Sequence, residues 1–364
     1  FAAGLSFANG FLNMTNAVVR RPEGEASVEA LGYDTRSKRL YLTNAVGRLE
    51  PTAVAKAIGP KTARLLEAYQ FLEPPLARVN GWVQTGPGRN PAELHFEIDG
   101  GAFRFSRFNS RDINGEIFWR GQNVTLTNIV AEFYGGELRG NLSAKLNEDR
   151  SADLAFHLET KHTELTGLMS DILKKKSELS GRLDGVLDIT ANSKDWKSWN
   201  GLSSVTLKDG YLWELPLIGI FAPVLDGLMP GLGASTFSEG TADFTITDGV
   251  VGTRNLELKS ALIRLQYKGK VDFDGRIHDA GVVAEALRDT WVIGPVLGPL
   301  FNLALSPIER MLKFEVSGTL SQPKLEMKHI PKVLLVPFQL PFQVIDELIP
   351  GGEPAEAPPG KRGP

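Results

Sequence analysis

Cysteine is absent from all 364 residues, which removes disulfides, thiolate nucleophiles and cysteine-ligated metals together. That suits a bacterial periplasm, although many cytosolic proteins also lack the residue. Histidine is scarce, at five, and charge of neither sign dominates: 40 Lys and Arg face 43 Asp and Glu, for a formal net charge of −3. No global field therefore favours nucleic acid. Basic runs are short, with Lys174-Lys175-Lys176 the longest, which reads as a solvated helix end or as a contact for anionic lipid. The chain opens on Phe1 without a basic-then-apolar leader, so it reads as part of a longer protein whose targeting segment lies elsewhere.

Catalytic signatures are missing as well. No GxSxG elbow, HExxH helix or GxxxxGK[ST] loop occurs. His157 and His162 flank Glu159 and Glu164, but a metal needs converging ligands, and strand geometry puts His157 on a polar face and His162 in the following turn. Asp184/Asp188 and Asp272/Asp274 follow the polar side of their strands and read as wet-face residues rather than an acid–base pair. Phe103 to Phe108 interleaves aromatics with Arg104 and Arg107, as an RNA-binding sheet can, but no RNP-type motif accompanies it. The expectation is a protein that is not an enzyme, needs no cofactor or metal, and binds no nucleic acid.

What the chain has in abundance is alternation. Leu138, Gly140, Leu142, Ala144 and Leu146 interleave with Glu137, Arg139, Asn141, Ser143 and Lys145. Successive strand side chains point to opposite faces, so one face is apolar and the other wet. The same period returns at Phe96/Ile98, Leu154/Phe156/Leu158, Leu187/Ile189, Phe244/Ile246, Leu256/Leu258, Ile263/Leu265/Tyr267, Val271/Phe273 and Leu312/Phe314/Val316. Asp99-Gly100, Asn114-Gly115, Asp209-Gly210, Asp248-Gly249 and Asp274-Gly275 are hairpin signals between such runs. The apolar positions shift from even to odd numbers between Leu258 and Ile263, so Ser260 to Leu262 must hold a turn or bulge. Asn114 to Leu146 and Gly240 to Phe273 share a strand scheme centred on Asn128 and Asn255, a faint internal repeat.

Helical patterns are few. Pro51 to Leu72 predicts two short helices broken at Gly59-Pro60, and Thr163 to Lys176 predicts one helix capped by Thr163. At roughly 10 Å in diameter, two helices cannot cover about a dozen strands. Three apolar segments rich in Pro and Gly interrupt the pattern, at 211–233, 291–308 and 330–350. They read as caps that seal the end of a sheet, or as pieces that dip into a membrane interface. The last residues, 351–364, read as a disordered tail.

Gly240 to Gly275, with its Asp248-Gly249 turn, resembles the C-terminal module of the AsmA-like family of Gram-negative envelope proteins. Phe314 to Lys328 resembles the closing strand pair of that module, Ser180 to Gly219 its strand, turn and apolar-helix order, and Asn114 to Leu146 the preceding repeat. The resemblance covers roughly residues 90 to 330 and rests on the order of the pieces. It implies a mainly β fold: an elongated, curved antiparallel sheet related to the repeating β-grooves of TamB-type proteins, with a few short amphipathic helices. Residues 1–90 would end a preceding groove region, 91–330 form the module, and 331–350 an apolar amphipathic segment.

The implied function is non-enzymatic binding and transfer of phospholipid between membranes, in a periplasmic protein tethered to the inner membrane through a portion outside this chain. Phospholipids, a membrane interface and an envelope protein are the implied partners. The candidate groove residues are Leu138, Leu142, Leu146, Leu187, Ile189, Phe244, Ile246, Leu258, Ile263, Leu265, Val271, Phe273, Phe314 and Val316. The alternative is a scaffold for outer-membrane protein assembly, with a closed core and no lipid cargo.

Overall fold

The computed structural model describes residues 2–21, 24–58, 69–85, 91–105, 108–149, 151–228, 232–287 and 311–329. The fold is mainly β, with one antiparallel sheet of 18 strands and a second of three. Two compact units are present: Phe1–Gly210 with Thr241–Gly252, and Tyr211–Gly240 with Thr253–Pro364.

The first unit is a meander. It begins with β1 (Ala2–Ala8), β2 (Phe11–Arg21), β3 (Gly24–Asp34), β4 (Arg39–Leu49) and helix α1 (Pro51–Ile58). A short β5 (Tyr69–Phe71) precedes β6 (Leu76–Gln84) and β7 (Ala92–Asp99), followed by the short β8 (Phe103–Phe105) and β9 (Phe108–Ser110). Then come β10 (Ile113–Arg120), β11 (Asn123–Phe133), β12 (Gly136–Leu146), β13 (Ala152–Glu164), helix α2 (Leu165–Leu173), β14 (Ser180–Asn192) and β15 (Asp195–Tyr211). Each long strand pairs with the next, from β1 through β4 to β6 and β7, then β10 to β14. β5, β8 and β9 form the small sheet.

The second unit begins with helices α3 (Pro216–Gly219) and α4 (Ala222–Leu228) and a 3-10 turn at Leu232–Ala234. β16 (Phe237–Thr247) and β17 (Val250–Lys259) have residues in both units. The second unit continues with β18 (Ile263–Asp272), β19 (Ile277–Ala286), β20 (Met311–Thr319) and β21 (Gln322–His329), paired in that order.

Turn chemistry explains most hairpins. Asp248 (φ 51°) and Gly249 (φ 74°) are both left-handed, as a type I′ turn requires, and join β16 to β17. Gly275 (φ 85°) donates to the Asp272 carbonyl at 2.8 Å between β18 and β19. The phase change is a turn: Ser260 N–H donates to the Ile263 carbonyl at 2.8 Å, so Leu258 and Ile263 both stay buried.

Other expectations are corrected. Asn114-Gly115 lies inside β10, at a register shift, and Asp209-Gly210 lies inside β15. The dipeptide permits a left-handed backbone but does not impose one: Asp209 (φ 53°) adopts it inside its strand, while Asn114 and Gly115 do not. Tyr69–Phe71 is strand rather than helix, because its backbone pairs with Phe103–Phe105. Thr163 belongs to β13, and Glu164 stands at the start of α2 without a side-chain cap. Thr163 is fully buried and hydrogen-bonds Thr160, so its hydroxyl is already engaged. The segments at 291–308 and 330–350 and the tail at 351–364 lie outside the described residues.

Candidate functional site

Directly opposed residues on antiparallel neighbours share a face of the sheet. In the first unit the register links Ala17 to Val28, Val28 to Ala45, Ala45 to Val79, Val79 to Phe96 and Phe96 to Ile117. It continues from Ile117 to Leu126, Leu142, Phe156 and Ile189. One apolar row thus crosses β2 to β14 without a polar interruption. Beside it, two residues along each strand, runs a second row: Leu94, Trp119, Val124, Ala144, Leu154 and Ala191.

Ala17, Leu94, Ile189 and Ala191 are buried, while the other members of both rows are half-buried. On β1, Leu5 (67% exposed) and Phe7 (66%) stand in water outright. The apolar face is therefore long, continuous and partly open to solvent.

The second unit treats the same alternation differently. Leu265 opposes Ala284 and Ala284 opposes Leu312; Tyr267 opposes Val282 and Val282 opposes Phe314. All six are buried. Phe221, between α3 and α4, meets Phe314 edge-on with ring centroids 5.2 Å apart, and Trp213 lies 5.2 Å from Phe237. Leu212, Leu225 and Phe237 complete this core. The described part of the 211–233 segment thus packs against strands, as one of its two readings expects.

The candidate groove residues divide accordingly. Leu138, Leu142, Leu146 and Leu187 are half-buried on the open face of the first unit, where Ile189 is buried. Phe244 and Ile246, in the part of β16 belonging to that unit, are half-buried. Leu258, Ile263, Leu265, Phe314 and Val316 are core residues of the second unit, between 2% and 4% exposed. That burial leaves them no surface to offer a ligand. Val271 is half-buried and Phe273 is exposed.

A repeated device shapes the open sheet. Asn44 (φ 46°), Asn128 (φ 54°) and His162 (φ 57°) are left-handed residues, each at a register shift. Each backbone N–H is held by a side chain on the next strand: Asn44 donates to Asn80 Oδ1 (2.7 Å), Asn128 to Asn141 Oδ1 (3.1 Å) and His162 to Asp184 Oδ1 (2.6 Å). Asn80, Asn141 and Asp184 each adjoin a glycine. At Gly81 (φ 122°) an added Cβ would fall 2.0 Å from the Glu93 carbonyl oxygen, so no other residue fits that close approach. Bulges bend a strand and increase its twist. Sequence reasoning found Asn128 but paired it with Asn255, which is not left-handed; its structural counterpart is Asn44. The available signal was an Asn in one strand and an Asn beside Gly in the strand that pairs with it.

Among the described residues three imidazoles lie beside carboxylates. His157 is exposed, with Nδ1 2.6 Å from Asp188 and Nε2 3.6 Å from Glu159. The hydrogen bond to Asp188, and then its charge, raise the imidazole pKa above its usual range. His95 lies 3.0 Å from Glu116, and His278 3.2 Å from Asp272. No group of three His, Asp or Glu side chains converges to hold a metal among the described residues. An open depression of about 570 Å³ lies on the first unit, lined by Thr125, Ser143, Ala155, Thr190 and neighbours. No helix among the described residues is long and apolar enough to cross a membrane.

Fold and surface together define an antiparallel β-meander protein with one extended, partly open apolar face. Comparison with protein-family models, curated proteins and solved structures gives no match to this chain.

Proposed function

We propose that the first unit binds the acyl chains of phospholipids along its apolar face, performs no chemistry, and takes part in moving lipid between envelope membranes. The observation that carries the reading is the unbroken apolar row from Ala17 to Ile189, most of it half-buried. Each CH₂ taken from water contributes about 0.8 kcal/mol, and a continuous row favours a chain without fixing its position. The order of motifs resembling the AsmA-like family points the same way, and with it a periplasmic setting.

Native mass spectrometry of the chain, purified without detergent, tests this. Phospholipid retained at repeated stoichiometry and lost on Leu142→Asp is the expected result. A clean unliganded mass, unchanged after incubation with lipid, refutes it. The buried core of the second unit favours a scaffold role for that part of the chain, in which Phe314 and Leu265 serve packing alone.

A further inference from the structure

We infer that the turn after α2 is a docking point for an anionic bilayer surface, an extension of the lipid-binding reading of the first unit. Lys174, Lys175 and Lys176 are all exposed, and none has a hydrogen bond or ion pair among the described residues. Three adjacent ammonium groups repel one another, and the nearest anion in sequence, Glu178, is exposed as well. The turn nonetheless holds a defined shape.

Lys174 is left-handed (φ 55°) at the end of the helix. Ser177 N–H donates to Ser170 Oγ at 3.1 Å, and Thr166 Oγ donates to the Leu179 carbonyl at 2.7 Å. Ser177 and Leu179 are fully buried, and these bonds pin the turn to α2. The helix is itself fastened: Asp171 Oδ2 accepts from Tyr134 Oη and Asn109 Nδ2, each at 2.5 Å. A solvated helix end needs no such foundation. Here three exposed cations stand on a fixed base, in the turn that leads into β14, the strand carrying Leu187 and Ile189 of the apolar face. A bilayer with anionic headgroups supplies many negative charges in a plane, which is the arrangement three neighbouring cations complement. The chain as a whole is net negative, so the attraction is local to this turn.

Flotation of the full chain with phosphatidylcholine vesicles, with and without phosphatidylglycerol, tests the inference. At roughly 1 kcal/mol per lysine near an anionic surface, Lys174→Gln with Lys175→Gln and Lys176→Gln lowers partition into the anionic vesicles on the order of 100-fold. Replacing the same three residues by Arg leaves it unchanged, and added salt weakens wild-type binding. Equal binding of the wild type to both vesicle types, or of the Gln variant and the wild type to the anionic ones, overturns the inference. So does charge-dependent capture by an acidic protein with vesicles ignored.

Acyl retention measured on the same samples separates the two proposals. Retained lipid without lysine-dependent flotation sinks only the docking surface. Lysine-dependent flotation without retained lipid sinks only the acyl-binding reading.

Discussion

Aspartate placed at Leu142 and at Ile263 distinguishes a surface that meets water or lipid from one sealed as a core. Ile263 is 2% exposed within the second unit. Its replacement gives up about 2–3 kcal/mol of burial. The new carboxyl group must then either ionise in an apolar surround or remain protonated at neutral pH. A pKa raised by about 3–5 units, at 1.36 kcal/mol per unit, adds roughly 4–7 kcal/mol. The sum is comparable to the whole stability of a typical domain, about 5–15 kcal/mol, so the second unit is expected to unfold. Leu142 is half-buried on the open row between Leu126 and Phe156. Its carboxylate reaches water, and the loss is confined to about 1–2 kcal/mol of partial burial. Hydrogen exchange read by peptide is the suitable assay, because it reports β12 and β18 separately even where the units unfold at different points. The expected result is lost protection across β18 to β20 for Ile263→Asp, and near-native protection of β11 to β13 for Leu142→Asp. If Leu142→Asp strips protection from β11 to β13 as completely, the face is a packed core and the acyl-binding reading fails.

The tether of α2 gives a second expectation: Tyr134→Phe costs about 1 kcal/mol of stability and speeds exchange in α2, seen by the same method. Burial first, and then the bond to Asp171, push the Tyr134 hydroxyl up to about 12, and burial alone does so for Tyr267. Both stay protonated in the folded chain after the unfolded chain has ionised near pH 10, so their contribution, complete below that, is lost as pH rises towards 12. A urea series across that range reads the decline, and a flat profile contradicts it. For His157 the folded pKa is raised, so its stabilisation is present below the unfolded value of 6.5 and fades as pH rises through the folded one. NMR titration places its midpoint above 6.5, and Asp188→Asn brings it down; a midpoint at or below 6.5 in the wild type contradicts the pairing. At the bulge, Asn128→Gly is tolerated, whereas Asn128→Val costs about 1–2 kcal/mol or more by denaturation, because a β-branched residue resists the left-handed backbone. Equal stability of the two variants would show that the bulge relaxes.

The period of two located β7, β12 to β14, β16 to β18 and β20 but not β1 to β4, β6 or β19, and Asp248-Gly249 and Asp274-Gly275 placed two hairpins correctly. Other features were hidden for identifiable reasons. Asn44 and Asn128 look like ordinary wet-face residues until the backbone around them turns left-handed, and only the partner asparagine across the strand marks the bulge. Tyr69–Phe71 carries helix-compatible residues, and its strand exists because Phe103–Phe105 is there to pair with. The division between half-buried Leu142 and buried Leu265 was illegible in principle, since both sit in the same apolar–polar alternation. What differs is the cover, and cover is supplied from elsewhere in the chain.

That difference in cover follows from dimensions. Eleven strands from β1 to β14, at about 4.8 Å spacing, span about 50 Å across the first unit. An eight- or nine-residue helix is about 13 Å long and crosses about three strands. Even laid end to end on the apolar face, α1 and α2 would cover about half of that width. In the second unit, β18 to β21 span about 15 Å, which one short helical segment can roof, and Phe221 and Leu225 do so. The width of a meander grows with each added hairpin, while its helical cover grows only when a helix is inserted. A chain that adds strands faster than helices therefore accumulates apolar surface without using any new kind of residue. The row from Ala17 to Ile189 is the outcome of that arithmetic, and its length suits an extended acyl chain better than a compact ligand.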